Sequence, residues 1–185
     1  MPRAGLSTAA VVDAALEIVD DQGLDALTLT AVAGRTGVAA PSLYKHVGSL
    51  AELRALVGVR VLEELAERFT AAVVGRSGDD AVATLLRTYR GYVQERPARY
   101  AAMPHDPLHD SAFAAAGKKL LEVVLAVLRG YDLDDTAAIH ATRSLRAVAH
   151  GFASLEAAGG FGLPEDLDQT YDHLIRMFLA SLPRR

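Results

Sequence analysis

Residues 27–47 read LTLTAVAGRTGVAAPSLYKHV, and this stretch decides the fold of the chain. Apolar residues at helical spacing follow Thr28, a residue suited to capping a helix, and stop at Gly37, which suits a helix end. A second short helix is predicted from Pro41 to Val47, because proline is tolerated in the first turn of a helix. Two short helices joined at a glycine predict a helix-turn-helix, whose second helix fits the major groove of DNA.

Helical spacing continues on both sides of this motif. Upstream, a helix is predicted from Thr8 to Asp21, capped by Ser7 and ended by Gly23. Downstream, apolar residues recur every four positions in a long helix that reaches about Val74. Further helices are predicted at about 79–96, 108–129, 134–158 and 165–182, with an irregular segment at 99–107. Because the sequence has no alternating strand pattern of useful length, the fold is predicted to be all-α.

Composition narrows the class of protein. The chain has 185 residues, of which 51% are hydrophobic and 23% charged, enough for a packed core but too few for two full-sized domains. The absence of cysteine excludes disulfide scaffolds, thiolate zinc sites and cysteine nucleophiles. The sequence shows no signal peptide and no apolar stretch of about 20 residues, so a soluble cytoplasmic protein is expected.

The net charge of −4 argues at first sight against a nucleic-acid partner. The acidity is unevenly distributed along the chain. The formal net charge is −4 for residues 1–34, +2 for residues 35–54 and −2 for residues 55–185. The charge therefore excludes a broadly basic protein that binds DNA without specificity, but it allows a dimer that binds DNA through two small patches.

The stretch 27–47 closely resembles the DNA-binding segment of the tetracycline-repressor (TetR) family. It carries the Gly-Val, Leu-Tyr and His-Val pairs at the family's spacing, and the preceding EIVDDQG at 17–23 is similar to the end of the family's first helix. Farther along, LRAVAHGF at 145–152 resembles the ligand-binding domain of the TetR subgroup named for a Trp-His-Gly motif, with Ala149 at the tryptophan position. The resemblance implies a DNA-binding domain at 1–54 and a helical ligand-binding and dimerisation domain at 55–185.

The resemblance and the side-chain chemistry together assign candidate DNA contacts. Ala40 and Pro41 offer apolar contact to a thymine methyl group, and Ser42 offers a hydrogen bond to a base edge. Phosphate contacts are expected from side chains that can donate hydrogen bonds, namely Thr28, Thr30, Tyr44, Lys45 and His46. Many family members carry a phosphate-binding lysine at the position of Leu50. The alternative for Tyr44 is a place in the core, with Lys45 merely solvated.

By resemblance, the C-terminal part holds a small-molecule cavity and forms a dimer. Candidate pocket residues supply apolar surface and a few polar groups: Tyr89, Tyr92, Tyr100, Met103, Phe113, Arg143 and Arg146. For any single one of them, a place in the core or in an interface is the favoured alternative. The last two helices are expected to pack against their copies in a second subunit through Leu145, Phe152, Leu155, Leu174 and Phe178. A two-fold dimer implies a near-palindromic operator.

The expected function is a homodimeric, ligand-responsive regulator that represses transcription, with no cofactor and no enzymatic activity. The alternative is a helical protein that binds a small molecule or a metal and has lost specific DNA binding, as Leu50 and the acidic net charge suggest. A metal site at His105 and His109 is disfavoured because Pro107 lies between them and no third ligand is near. A helical enzyme is unsupported, and His150-Gly151 is better explained by helix packing than by a catalytic base.

Overall fold

The computed structural model describes residues 6–104, 108 and 111–183, and within these ranges it contains helices and no strands. The helices, in chain order, are α1 Thr8–Gln22, α2 Leu29–Thr36, α3 Ala40–Leu43, α4 Leu50–Val73, α5 Gly78–Glu95, α6 Pro97–Ala101, α7 Ala114–Leu128, α8 Asp135–Ala157 and α9 Leu167–Ser181. The predicted all-α fold is confirmed. Over the same described residues, every helix is too short or too polar to cross a membrane.

Local hydrogen bonds set the ends of the first two helices. The Ser7 hydroxyl accepts a hydrogen bond from the amide of Ala10 at 3.2 Å, and the Thr28 hydroxyl accepts one from the amide of Ala31 at 3.1 Å. Gly37 ends α2 at φ 69°, in the left-handed region where a side chain would cost about 1–2 kcal/mol. Both predicted caps and the predicted helix end at Gly37 are therefore confirmed.

Three predicted boundaries differ from the structure. Helix α3 ends at Leu43, and residues 44–46 form turns, so the predicted helix to Val47 is too long. The segment predicted to be irregular begins with helix α6, because Pro97 both ends α5 and serves as the first residue of the next helix. Helix α7 begins at Ala114 and not at about residue 108.

The chain forms two compact units, and neither is continuous in sequence. The first unit comprises Met1–Glu63 and Ala98–Gly117, and the second comprises Glu64–Pro97 and Lys118–Arg185. Helix α4 begins in the first unit and ends in the second. The predicted division at residue 54 thus falls inside the first unit, which also takes up a segment from the middle of the chain.

The core of the second unit contains a buried arginine. Arg90, only 8% exposed, donates from Nε and Nη2 to the two carboxylate oxygens of Glu156 at 2.7 and 2.6 Å. Its Nη1 lies 2.8 Å from Oδ1 of Asp168, and its guanidinium stacks 5.2 Å from the ring centroid of Phe152 and 5.1 Å from that of Tyr171. This network joins α5, α8 and α9, and its hydrogen bonds raise the pKa of Arg90.

Two helical glycines have opposite surroundings. A Cβ added to Gly58 on α4 would lie 2.8 Å from Cε1 of Phe113 and 3.3 Å from the carbonyl oxygen of Ala102. A Cβ added to Gly91 on α5 would meet no atom within 4 Å. Gly58 is therefore where the Phe113 ring approaches α4 closely, whereas Gly91 serves no packing purpose.

We expect the same substitution to have opposite effects at these two positions. Gly91→Ala should raise the free energy of unfolding by up to about 1 kcal/mol, because alanine is the better helix former. Gly58→Ala should lower it by about 1–2 kcal/mol, because overpacking outweighs the gain in helix propensity. Urea denaturation of the two variants checks this, and a shift in the same direction for both would contradict it.

Candidate nucleic-acid interface

The helix-turn-helix is built from α2, the turn at residues 37–39, and α3. The amide of Val38 donates to the carbonyl of Ala33 at 3.1 Å and closes the end of α2. Beyond α3, the amides of His46 and Val47 both donate to the carbonyl of Leu43, at 2.8 and 3.0 Å. Because Leu43 and Val47 are fully buried, they fix α3 and the turn after it on the core of the first unit.

The proposed DNA contacts lie at the surface of this motif. Thr28, Thr30, Pro41, Tyr44 and Lys45 are exposed, while Ala40, Ser42 and His46 are half-buried. Tyr44 is 59% exposed, which contradicts the alternative that places its ring in the core. An aromatic ring left at the surface between two buried anchors is available to a partner.

Backbone and side-chain bonds hold the flanks of the motif. The Thr8 hydroxyl at the start of α1 donates to the carbonyl of His46 at 3.2 Å. At the start of α4, the Glu52 amide donates to the Ser49 hydroxyl at 3.0 Å, and the Gly48 amide donates to the Glu52 carboxylate at 2.7 Å. Ser49 therefore caps α4, and Glu52 reaches back one residue farther than in a standard capping box; the Ser-x-x-Glu spacing could have revealed this cap from sequence. Leu50 beside it is half-buried.

Acidic residues of α1 engage one of the basic residues expected near DNA. Arg35 on α2 donates to Asp21 at 2.8 Å and to Glu17 at 3.1 Å. These bonds, from Asp21 first and then Glu17, raise the pKa of Arg35. The net charge of +2 at residues 35–54 therefore overstates the charge that the motif offers to phosphates, because Arg35 is exposed but already paired, whereas Lys45 and Arg54 are exposed cations outside these pairs.

The candidate ligand-binding residues fall into both units. Tyr100, Met103 and Phe113 belong to the first unit, where Tyr100 is buried and the other two are half-buried. In the second unit, Tyr89 and Tyr92 are buried, but Arg143 and Arg146 lie exposed on α8. The two arginines therefore do not line the core in which the two tyrosines are packed.

Packing accounts for the two buried tyrosines of the second unit. Tyr89 stacks on Phe69 at 5.8 Å between ring centroids, and the Tyr92 hydroxyl donates to the Glu64 carboxylate at 3.3 Å. A groove of about 390 Å³ in this unit includes Tyr92 among its lining residues, which are Arg68, Thr84, Arg87, Thr88, Gly91, Tyr92 and Glu95. Of the predicted pocket residues, Tyr92 alone appears in that lining.

The candidate dimer residues divide sharply by burial. Leu145, Phe152 and Phe178 are buried within the chain's own second unit, and a contact of these residues with a second subunit stays a prediction. Their apolar periodicity reflects packing within the second unit. Leu155 is 52% exposed and Leu174 is half-buried. Two further apolar side chains on the outer faces of α8 and α9 are exposed, Ile139 and Met177.

No group of three metal-ligating side chains is found among the residues that the structure describes. His105 and His109, the alternative metal ligands, lie outside the described residues. The structure therefore adds nothing to the case for a metal at that position.

Family models match both parts of the chain. Residues 11–56 match the model for bacterial regulatory proteins of the tetR family, and residues 82–178 match a tetracyclin repressor-like C-terminal domain. The HTH-type transcriptional regulator Rv0681 of Mycobacterium tuberculosis is 35% identical over 98% of this chain and 84% of its own length. The chain belongs to the tetR family. YobS of Bacillus subtilis, another HTH-type transcriptional regulator, is 36% identical to this tetR-family chain. The match covers 98% of this chain and 95% of YobS.

Solved structures share the tetR-family fold. A Rhodococcus protein of unknown function has a TM-score of 0.83 at 21% identity and covers 99% of this chain and 98% of its own. A TetR variant of Acinetobacter baumannii, solved with minocycline, has a TM-score of 0.72 at 19% identity over 95% and 96% of the two chains. Family membership makes the chain a transcriptional regulator with a DNA-binding helix-turn-helix and gives no indication of an enzyme.

Proposed function

We propose that this tetR-family regulator binds a near-palindromic operator as a homodimer and represses transcription until a small molecule releases it. The observation that carries the proposal is the exposure of Pro41, Tyr44 and Lys45 around the fully buried Leu43, which anchors them to the core of the first unit. In this arrangement, Pro41 and Ser42 face base edges in the major groove, while Tyr44 and Lys45 donate to phosphate oxygens. Side chains held this way reach DNA without any unfolding of the motif.

The proposed dimer uses the outer faces of α8 and α9. Leu155 and Met177 are each more than half exposed, and Ile139 is 50% exposed. Apolar side chains of this size gain about 1.5–3 kcal/mol each when fully buried, which favours their burial against a second copy. A two-fold dimer sets two recognition helices one DNA turn apart, at about 34–36 Å.

The proposed effector is a small molecule bound by the C-terminal domain. Support comes from the match to the tetracyclin repressor-like C-terminal domain and from the relative solved with minocycline. The effector acts only through a difference in its affinity for the DNA-binding and released states. Membership of the Trp-His-Gly subgroup is part of the proposal and rests on His150-Gly151, although the fully buried Ala149 replaces the tryptophan.

Gel retardation with DNA from upstream of the chain's own coding sequence tests the proposal. We expect specific retardation by a dimer, with an affinity that falls as salt rises. Lys45 and Arg54 in two subunits amount to about four phosphate contacts, so the slope of log K against log salt should be about −4. Light scattering of the same protein measures its molar mass in solution, which should be that of a dimer. Tight binding of a small molecule, without retardation of upstream or other genomic fragments, would instead support a protein that has lost specific DNA binding.

A further inference from the structure

The groove of about 390 Å³ lies along one face of helix α5, within the second unit. Its residues on that face are three or four positions from one another, namely Thr84, Arg87, Thr88, Gly91 and Glu95. Arg68 of α4 lines the groove from the neighbouring helix. From residue 84 to residue 95, the groove follows α5 for about 16 Å, because a helix rises about 1.5 Å per residue. Its length and volume suit one small organic molecule.

Gly91 keeps the floor of this groove open. A Cβ added to Gly91 would meet no atom within 4 Å, so packing within the chain does not require a glycine here. A glycine in the interior of a helix weakens that helix, and α5 extends for several residues on both sides of Gly91. A larger side chain at this position would project into the groove. The structure therefore gives this glycine one use, which is to leave room for a bound molecule.

The groove offers more hydrogen-bond donors than acceptors. Arg87 donates from Nε at 3.3 Å and from Nη2 at 2.8 Å to the same oxygen, Oδ1 of Asp172. Arg68 donates from Nη1 to the Glu95 carboxylate at 2.6 Å. Because a guanidinium has five N–H donors, three donors of Arg87 and four of Arg68 are left over among the residues that the structure describes. A ligand that matches this groove must therefore supply acceptors.

The end of the groove near Arg87 is suited to a carboxylate. Asp172 takes the Nε–Nη2 edge of this arginine, which leaves the Nη1–Nη2 edge for the two coplanar oxygens of a second carboxylate. The pair of Arg87 and Asp172 is about half exposed, so it contributes little stability that a ligand would have to replace. The half-buried Thr84 and Thr88, three residues before Arg87 and one after it, supply hydroxyl groups beside this edge.

The charge of the lining favours a single negative charge on the ligand. Arg68 and Arg87 contribute two positive charges and Glu95 one negative charge, so the lining carries a net charge of +1. A monoanion neutralises this charge, whereas a doubly charged phosphate would leave an excess negative charge next to Glu95 and Asp172.

We propose that the α5 groove is the binding site of the effector and that the effector is an organic monocarboxylate. Its carboxylate binds the Nη1–Nη2 edge of Arg87 and the hydroxyl of Thr84, and its body lies over Gly91 toward Arg68. The inference rests on the proposed function, since it names the chemical class of the effector and the residues that bind it.

Calorimetry on the purified full chain, in the absence of DNA, tests the site. The probes are biphenyl-4-carboxylate and decanoate, each compared with its neutral amide of nearly equal size. We expect at least one carboxylate to bind about tenfold or more tightly than its amide, because only the carboxylate forms charge-assisted hydrogen bonds with Arg87. In Arg87→Gln, this preference should disappear. In Gly91→Leu, binding of the carboxylate and of the amide should be lost, because the leucine side chain fills the groove.

A matched control separates the groove from the general effect of removing an arginine. Arg76 forms a comparable exposed pair with Asp80 at 2.7 Å and does not line the groove. Arg76→Gln should therefore bind both kinds of probe as the wild type does. Circular dichroism should show that Gly91→Leu is folded, because leucine is the better helix former and its Cβ enters open space.

The outcomes distinguish this inference from the proposed function. Absence of binding by both carboxylates, or unchanged binding in Arg87→Gln or in a folded Gly91→Leu, would overturn the inference while retardation of DNA by the wild type upholds the regulator. A carboxylate that binds in the groove without releasing retarded DNA would overturn its assignment as the effector. If the wild type retards no DNA, the proposed function fails, and with it the assignment of an effector, while calorimetry still decides whether the groove binds carboxylates.

Discussion

Arg90→Ala is expected to lower the free energy of unfolding by about 3–5 kcal/mol, the largest effect of a single substitution that we foresee in this chain. The substitution leaves the Glu156 carboxylate, whose side chain is 13% exposed, without the cation that balances it. It also removes the guanidinium stacked against Phe152 and Tyr171. Urea denaturation followed by circular dichroism measures the loss.

A double variant separates the ion pair from packing. The double variant Arg90→Met with Glu156→Met replaces the pair with apolar side chains. It should lower the free energy of unfolding less than Arg90→Met alone does, because no unpaired charge remains. If the double variant were less stable than the single variant, the unpaired charge of Glu156 would not be the cause of the destabilisation.

Acid titration checks the same prediction. The hydrogen bonds from Arg90 lower the pKa of Glu156, so the contribution of the pair is complete above the carboxyl group's unfolded pKa of about 4.3. This stability is lost as the pH falls through the lower pKa of the folded state. The difference in unfolding free energy between wild type and Glu156→Gln should therefore be constant above about pH 5 and shrink below pH 4.

Lys45→Ala and Ser42→Ala should weaken DNA binding in two distinguishable ways. A lost phosphate contact reduces affinity for all sequences alike, and in a dimer it lowers the salt slope by about two. A lost base contact reduces affinity for the preferred operator and relaxes the preference at one position of each half-site. With about 1 kcal/mol per subunit, each variant should bind the operator about thirtyfold more weakly.

Fluorescence anisotropy with operator and scrambled duplexes over a salt series separates the two effects. Lys118→Ala provides a matched lysine control, because its ammonium lies on the surface of α7, 3.9 Å from Glu122. The control should bind both duplexes as the wild type does. A Lys45→Ala variant that lost affinity for the operator alone would assign Lys45 to base recognition and contradict its role as a phosphate contact.

Local signals in the sequence predicted the DNA-binding helices well. Ser7, Thr28 and Gly37 act through hydrogen bonds and backbone angles within a few residues of themselves. Their effects can therefore be predicted from a short stretch of sequence. The same reasoning overextended α3, because a short helix followed by turns keeps its apolar anchors Leu43 and Val47 at helical spacing.

Long-range pairs were not predictable in this way. Arg90 and Glu156 are 66 residues apart, and Arg99 and Asp20 are 79 apart, so only the fold brings them together. A signal for Arg90 was nonetheless present, since it lies four residues after the buried Leu86 on the apolar face of α5. For the same physical reason the candidate dimer residues stay a prediction, because an apolar stripe does not reveal whether the same chain or a second copy covers it.

The divided first unit sets an order of events during synthesis. Helices α1 to α3 are translated early, but the first unit is complete only after the 54 residues from 64 to 117, Phe113 among them, have been added. At about 5–20 residues per second, the nascent helix-turn-helix waits roughly 3–11 s for them. Each new molecule thus acquires its complete DNA-binding unit only after all of α5 and α6 has been translated, which delays its first binding to DNA.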